Sequence, residues 1–174
     1  MGVRSLCQGS HPALRGVARP VEAFTDELRA LARDLIETMY AHDGIGLAAP
    51  QVGCALRVFV ANPSREPGRE LVVVNPVLEA FEGRAAITEG CLSVPNVWER
   101  VRRASRVRVR GQDLRGRAMT VNARGLLAIV LQHELDHLQG RLFIDRLWWF
   151  RRLRAQAKAR AAARGARLSG EPRA

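Results

Sequence analysis

The sequence predicts an α+β fold, with mixed, mostly antiparallel sheets packed around one central helix, a helix before them and another at the C-terminus. Three observations carry that expectation. Residues 21–40 place apolar side chains at helical spacing. Several short runs between residues 55 and 121 are rich in β-branched residues and bounded by turn signals. Residues 123–140 then form a long, largely apolar segment that ends in glycine, as a buried helix does.

Taken in order, VEAFTDELRALARDLIETMY (21–40) is expected to be an amphipathic helix, with Thr25 as a cap and Leu28, Leu31, Leu35 and Met39 on its inner face. It stops before Asp43-Gly44-Ile45-Gly46, where two glycines break the pattern. ALRVFVAN (55–62), ELVVVNPVLEAF (70–81) and RVRVR (106–110) are expected to be strands. In RVRVR the arginines alternate with valine and should line a solvent-facing side. GQDLRG is a turn signal leading into RAMTVN, which predicts a hairpin. ARGLLAIVLQHELDHLQG (123–140) is the central helix, with Gly140 as its C-cap. A last helix is expected from about Asp145 into the arginine-rich tail, with SGEPRA frayed at its end. No repeat or linker divides the chain. Residues 1–174 are therefore expected to be a single domain, with 147–174 a basic C-terminal helix and frayed tail.

Composition narrows the function classes. At 174 residues, 47% hydrophobic and 26% charged, the chain is ordinary for one soluble domain. No run approaches the ~18 apolar residues of a membrane span, and the first residues lack the apolar core of a secretory signal. Cys7, Cys54 and Cys91 are too few and too scattered for a disulfide framework, which fits a reducing compartment. The net charge is +11, of which residues 151–174 carry +7. Such a tail points to a polyanionic partner.

The strongest chemical signal is His133-Glu134-Leu135-Asp136-His137. Histidines at i and i+4 lie one helical turn apart on one face, so both imidazoles can reach a single metal ion, with Glu134 placed to exchange a proton with bound water. Two ligands need a third. The position where one longer HExxH pattern supplies another histidine is Phe143, which cannot bind metal, and the only glutamate downstream is Glu171. Asp145 is a weak candidate. Cys91, in Glu89-Gly90-Cys91-Leu92-Ser93-Val94-Pro95, is favoured, because its glycine permits close approach and its proline stiffens the segment. Cys7 and Cys54 lack such a setting. Asp136 points off the ligand face and is expected to pair with an arginine. Gly44-Ile45-Gly46-Leu47-Ala48-Ala49-Pro50-Gln51 keeps a thin backbone suited to close approach by a substrate.

Together these segments resemble the peptide deformylase family, whose members show a GxGxAAxQ segment, an EGCxS segment and a QHExDHxxG segment. They fall here at Gly44–Gln51, Glu89–Ser93 and Gln132–Gly140, in the family's order, and the likeness extends over about residues 11–150. The resemblance is to the bacterial type with a C-terminal helix. It implies a hydrolase that removes the N-formyl group from formyl-methionine of nascent polypeptides and releases formate. Cys91, His133 and His137 match the family's metal ligands, and Glu134 matches its general acid/base, acting on metal-bound hydroxide. Gln51 and the backbone N–H of Leu92 match its oxyanion donors, and Gly46 matches a glycine whose backbone pairs with the peptide. The implied cofactor is one divalent ion, Fe(II) first, with Zn, Ni or Co as alternatives.

An apolar slot for the methionine side chain is expected from Leu126, Ile129 and Val130, which share one helical face with His133, closed by Ile45 and Ile87. Glu89 is counted with these substrate-binding positions. The chain departs from the family at His11-Pro12, where Asp-Pro is common, and at Asn96-Val97-Trp98, where many members place an arginine nearby. The resemblance also implies docking at the ribosome, on RNA and protein near the exit tunnel, through the C-terminal helix. Arg151, Arg152, Arg154, Lys158 and Arg160 are the expected RNA contacts, while Trp148, Trp149 and Phe150 are expected to pack that helix onto the body. A monomer in the cytoplasm, away from membranes, is the accompanying expectation. Two other readings are an HExxH metalloprotease that cuts internal peptide bonds and a catalytically silent ribosome-binding module of the same fold.

Overall fold

The computed structural model describes residues 2–168. Its first long helix, α1 (Asp26–Ala41), buries Leu28, Leu31, Leu35 and Met39 as their spacing predicts. It begins later than expected, at Asp26 rather than near 21. The reason lies in Asn75, whose side-chain amide accepts from the Val21 N–H at 2.8 Å and donates to the Val21 carbonyl at 2.9 Å. Val21 is thereby tied as extended chain. Thr25 occupies the N-cap position with extended backbone but makes no side-chain cap bond. Asp26 and Glu27 in the first turn suit the positive end of the helix dipole.

Seven strands follow: β1 (Gly46–Ala48), β2 (Val58–Ala61), β3 (Leu71–Glu82), β4 (Ala85–Cys91), β5 (Val94–Arg103), β6 (Arg106–Gln112) and β7 (Ala118–Arg124). Every pairing between them is antiparallel. Five form one sheet in the order β1-β2-β3-β6-β7, and β4-β5 form a separate two-stranded sheet. The predicted β6–β7 hairpin is present, with Val107 and Val109 buried and Arg106, Arg108 and Arg110 exposed. The β3 register slips between Val74 and Val77, where Pro76 has no N–H to give the ladder.

Helix α2 (Gly125–Leu138) lies across this sheet, and its Ala128, Val130, Leu131, Leu135 and Leu138 meet Ala48, Phe59, Ala61, Val73, Val107 and Val109 in one core. Gln139 is its C-cap, and Gly140 follows at φ 68°. A side chain there would also strike the Arg15 carbonyl oxygen, at 2.5 Å from an added Cβ.

The C-terminal helix differs from expectation in two ways. Phe143–Arg146 form a short 3-10 turn, Leu147 is extended, and α3 runs from Trp149 to Leu168 rather than from Asp145. Trp148, Trp149 and Phe150 do not pack the helix onto the body; they are exposed at 71%, 68% and 47%. The small side chain of Ala155, fully buried, does that instead, beside partly buried Ala159, in a cluster with Val97 and Val101 of β5. The expected frayed segment SGEPRA lies outside the described residues. Among the described residues no helix is long and apolar enough to cross a membrane.

Candidate metal centre and its cavity

The β4–β5 sheet and the second half of α2 bring three donor groups together. One donor atom each from Cys91, His133 and His137 lie within 4.8 Å of one another, and Cys91 Sγ is 3.3 Å from His137 Nε2. Among the described residues this is the one such group. Cys7 is buried elsewhere, and its N–H donates to the Gln51 carbonyl. Asp145 is engaged by Arg15 and Arg152. Phe143 is stacked on His133, with ring centroids 6.1 Å apart.

The donor set fits a first-row divalent ion. Metal–nitrogen bonds of ~2.1 Å and metal–sulfur bonds of ~2.3 Å in a tetrahedral site separate the ligands by roughly 3.4–3.8 Å. The electrostatics agree. Burial works against a proton on His133, but Cys91 and the Glu89 carboxylate outweigh it and raise its pKa well above the ordinary value. The surroundings that attract a proton there would equally favour a cation. Burial and neighbouring His133 push His137 the other way, well below its ordinary value, which keeps it neutral as a ligand must be.

Glu89, counted from the sequence among substrate-binding positions, has its carboxylate committed elsewhere. One oxygen accepts from Arg103 Nε at 2.8 Å, and the other lies 2.9 Å from His133 Nδ1. His133 therefore presents Nε2 to the centre, oriented as a carboxylate orients a metal-binding histidine. Burial alone would raise the Glu89 pKa, but Arg103 and His133 hold it at about 2. Arg103 also donates to Asp136 at 2.6 Å, and Asp136 accepts from Arg146. The expected arginine partner of Asp136 is thus two arginines. Nothing in the sequence marked Arg103 among the many arginines of this chain, since its distinction is burial.

Glu134 sits beside the ligands, only 3% exposed, and its Oε2 has no hydrogen-bond partner among the described residues. Burial, reinforced by Glu89 and Asp136, raises its pKa to about 7 against the pull of His133 and Arg103. Its other oxygen lies against the Gly46 backbone, where an added Cβ would collide with it and with Val130 Cγ1, the latter at 2.8 Å. Gly46 is the residue that leaves room for the carboxylate. Gln51 is fixed by its own loop, its Oε1 accepting from the Ala48 N–H at 2.8 Å. Its amide nitrogen then points at Ser93 Oγ (3.2 Å) and Cys91 Sγ (3.7 Å). Ser93, fully buried, is a partner the sequence reading passed over.

These groups open on a cavity of about 510 Å³. Leu126, Ile129 and Val130 of α2, Ile45 and Gly46 at the start of β1, and Ile87 and Leu92 all line it, so every residue expected at an apolar slot lines the cavity. β1 is an edge of its sheet and β4 an edge of the smaller one, and both border this cavity. Two strand edges with spare backbone groups are what an extended peptide needs.

The five residues expected at an RNA contact lie on exposed turns of α3. Arg151 is paired with Glu99 and Arg152 with Asp145, while Arg154, Lys158 and Arg160 have no acidic partner among the described residues.

Comparison with known proteins gives a consistent result. The family model described as polypeptide deformylase matches residues 3–152. A peptide deformylase from Alkalilimnicola ehrlichii is 46% identical over 159 residues, 91% of this chain and 89% of that protein. One from Caulobacter vibrioides is 48% identical over 157 residues, 88% of this chain and 90% of its own length. Among solved structures, a peptide deformylase from Legionella pneumophila superposes with a TM-score of 0.92 at 37% identity, covering 98% of this chain and all of that one. One from Synechococcus elongatus, in complex with actinonin, gives 0.85 at 40% identity over 89% of this chain and 86% of its own.

Two outcomes follow from the buried charges. Arg103→Met leaves Glu89 without its guanidinium in a dry site, and should cost about 3–5 kcal/mol of stability in urea denaturation of the metal-free protein. A loss below about 1 kcal/mol would show that the network is dispensable. The second concerns Glu134, which ionises near 4.5 when unfolded and at about 7 when folded. Its raised folded pKa favours the native state fully below pH 4.5, and that contribution is lost as pH rises to about 7. Glu134→Gln does not ionise, so the metal-free variant should gain about 3 kcal/mol on wild type across that window. Urea midpoints that run parallel from pH 4.5 to 7.5 would contradict it.

Proposed function

Since the chain belongs to the polypeptide deformylase family, we propose that it removes the formyl group from the N-terminal formyl-methionine of new polypeptides at the Cys91–His133–His137 centre. The observation that carries this reading is the convergence of those three donors beside Glu134, at the end of an apolar cavity bordered by two strand edges. Cys91, His133 and His137 would hold one divalent ion, Fe(II) by expectation, with Zn, Ni or Co as alternatives. Such an ion supplies Lewis acidity, polarising a carbonyl oxygen and bringing the pKa of water from ~15.7 toward ~7.

The remaining work falls to the protein. The peptide would lie extended against Gly46, its methionine side chain in the slot formed by Ile45, Ile87, Leu126, Ile129 and Val130. Glu134 would take a proton from the attacking water as oxygen adds to the formyl carbon. A carboxylate with a pKa of about 7 accepts and returns a proton easily at neutral pH. The charge forming on the formyl oxygen would face the Leu92 N–H and the Gln51 amide, the latter already fixed by its own loop before substrate arrives. Glu134 would then pass its proton to the leaving nitrogen as the C–N bond breaks, giving formate and a free amine.

A formyl-Met-Ala-Ser peptide incubated anaerobically with the metal-loaded protein should release formate, while blocked internal peptides stay intact. Glu134→Ala should lower turnover by about 10²–10⁴-fold with metal content retained on the same sample. Cleavage of the blocked peptides would favour the metalloprotease reading. Full activity in the variant would favour the silent module.

The basic helix supports a second part of the proposal, docking at the ribosome near the exit tunnel by a cytoplasmic monomer. Arg154, Lys158 and Arg160 are exposed and without acidic partners among the described residues, and they suit phosphate. Replacing these three with serine should weaken co-sedimentation with ribosomes and flatten its salt dependence by about three counterions. An unchanged salt slope would place the contact elsewhere.

A further inference from the structure

We infer that Trp98 is a specificity-determining residue that selects large apolar or aromatic side chains at the second position of the peptide, directly after methionine; this rests on the function proposed above. Trp98 is 69% exposed, an unusual state for an indole on a strand whose neighbours Val97 and Val101 are buried. It is nonetheless held in place. Three of its ring atoms lie 2.6, 2.7 and 2.9 Å from where a Cβ on Gly90 would sit, so the ring covers the backbone of the residue before Cys91. It lies on β5, but over Gly90 it reaches across β4, and it lines the same cavity as the metal-binding group. The absence of a side chain at residue 90 is what lets it reach that far.

Alternation along a strand assigns the substrate position. On β5, Val97 and Val101 face inward, and Trp98 and Arg100 face outward. A peptide lying along the free edge of β4 has the same alternation. Its methionine side chain turns inward to the slot formed with α2, so the next side chain turns outward, on the face that carries the indole. There it meets a flat apolar surface, one face of which rests on the Gly90 backbone. Apolar and aromatic side chains would bury area against it, a gain not shared by a carboxylate or an ammonium group, which keeps its water beside so exposed a ring.

The test compares formyl-Met-Xaa-Ser peptides with Xaa as Phe, Leu, Ser, Asp and Lys, using the metal-loaded protein. Wild type should favour Phe over Asp by about tenfold in kcat/KM, mainly through KM. Trp98→Ala should bring the ratio to within about twofold, while Trp98→Phe, which keeps an aromatic ring over Gly90, should retain most of it. Folding of each variant is checked by its urea midpoint. A readout independent of turnover is the indole fluorescence change when Met-Phe-Ser is added to metal-free protein, which should vanish in Trp98→Phe. A Phe-over-Asp ratio that survives Trp98→Ala, or a preference that appears only when the third residue is varied, would overturn the inference. Failure of wild type to turn over any formyl-Met peptide would instead overturn the proposed function itself.

Discussion

The position of the metal-binding group depends on one buried guanidinium. Arg103 leaves the end of β5, grips Glu89 on the partner strand β4, and reaches Asp136 on α2. β4 and β5 belong to a two-stranded sheet with no ladder to the larger one, and a lone hairpin is marginal in water. The tie from Arg103 therefore helps to settle where β4 ends against the helix, and Cys91 is the last residue of β4. Two carboxylates around one arginine in a dry site are not a gain over an apolar core of equal volume. Their value lies in direction: Glu89 meets both Arg103 and His133, which ties the end of β4 to α2.

The same arrangement explains why two neighbouring acids behave so differently. Glu89 and Glu134 are both buried within a few ångströms of the same elements, yet one is held at about 2 and the other raised to about 7. Glu89 has a guanidinium fork and an imidazole bonded to it; Glu134 has the flat backbone of Gly46 on one oxygen and no partner on the other. Desolvation is common to both, so hydrogen bonding and the sign of the neighbouring charges make the difference. A carboxylate committed to structure and a carboxylate left free to carry protons are thereby separated on adjacent elements.

Much of this was legible in the sequence wherever chemistry is local. The i, i+4 histidines, the Leu28–Met39 stripe, the valine–arginine alternation of β6 and the stop at Gly140 each follow from a repeat or a backbone requirement that a few residues express. The apolar slot was readable too, because Leu126, Ile129 and Val130 share a helical face. What escaped depends on distant partners. β4 and β5 carry weak strand signals, AAITEGC and VPNVWERVRR, and take shape through pairing with each other. The start of α1 was misplaced because Asn75, far along the chain, claims Val21. Arg103 could not be told from surface arginines, and Glu89, though singled out, was assigned to the substrate because its partners Arg103 and His133 lie far along the chain. The aromatic run at Trp148 was expected to be core because aromatic residues usually are, but the alanines of α3 approach β5 closely enough to leave it outside.

An exposed strand edge is ordinarily a hazard, inviting pairing between copies of a chain. Here two such edges border one cavity, and each is managed. β1 is only three residues long and is flanked by glycine at its entry, so it offers little backbone to a stray strand. β4 is bent by the register shift between Glu89 and Cys91 and capped by the Trp98 ring over Gly90. Between them the α2 side chains form the floor of a cavity of about 510 Å³, room for a single extended chain end rather than for a folded partner. Selection for an N-terminus would thus arise from the shape of the sheets before any contact with the formyl group is made.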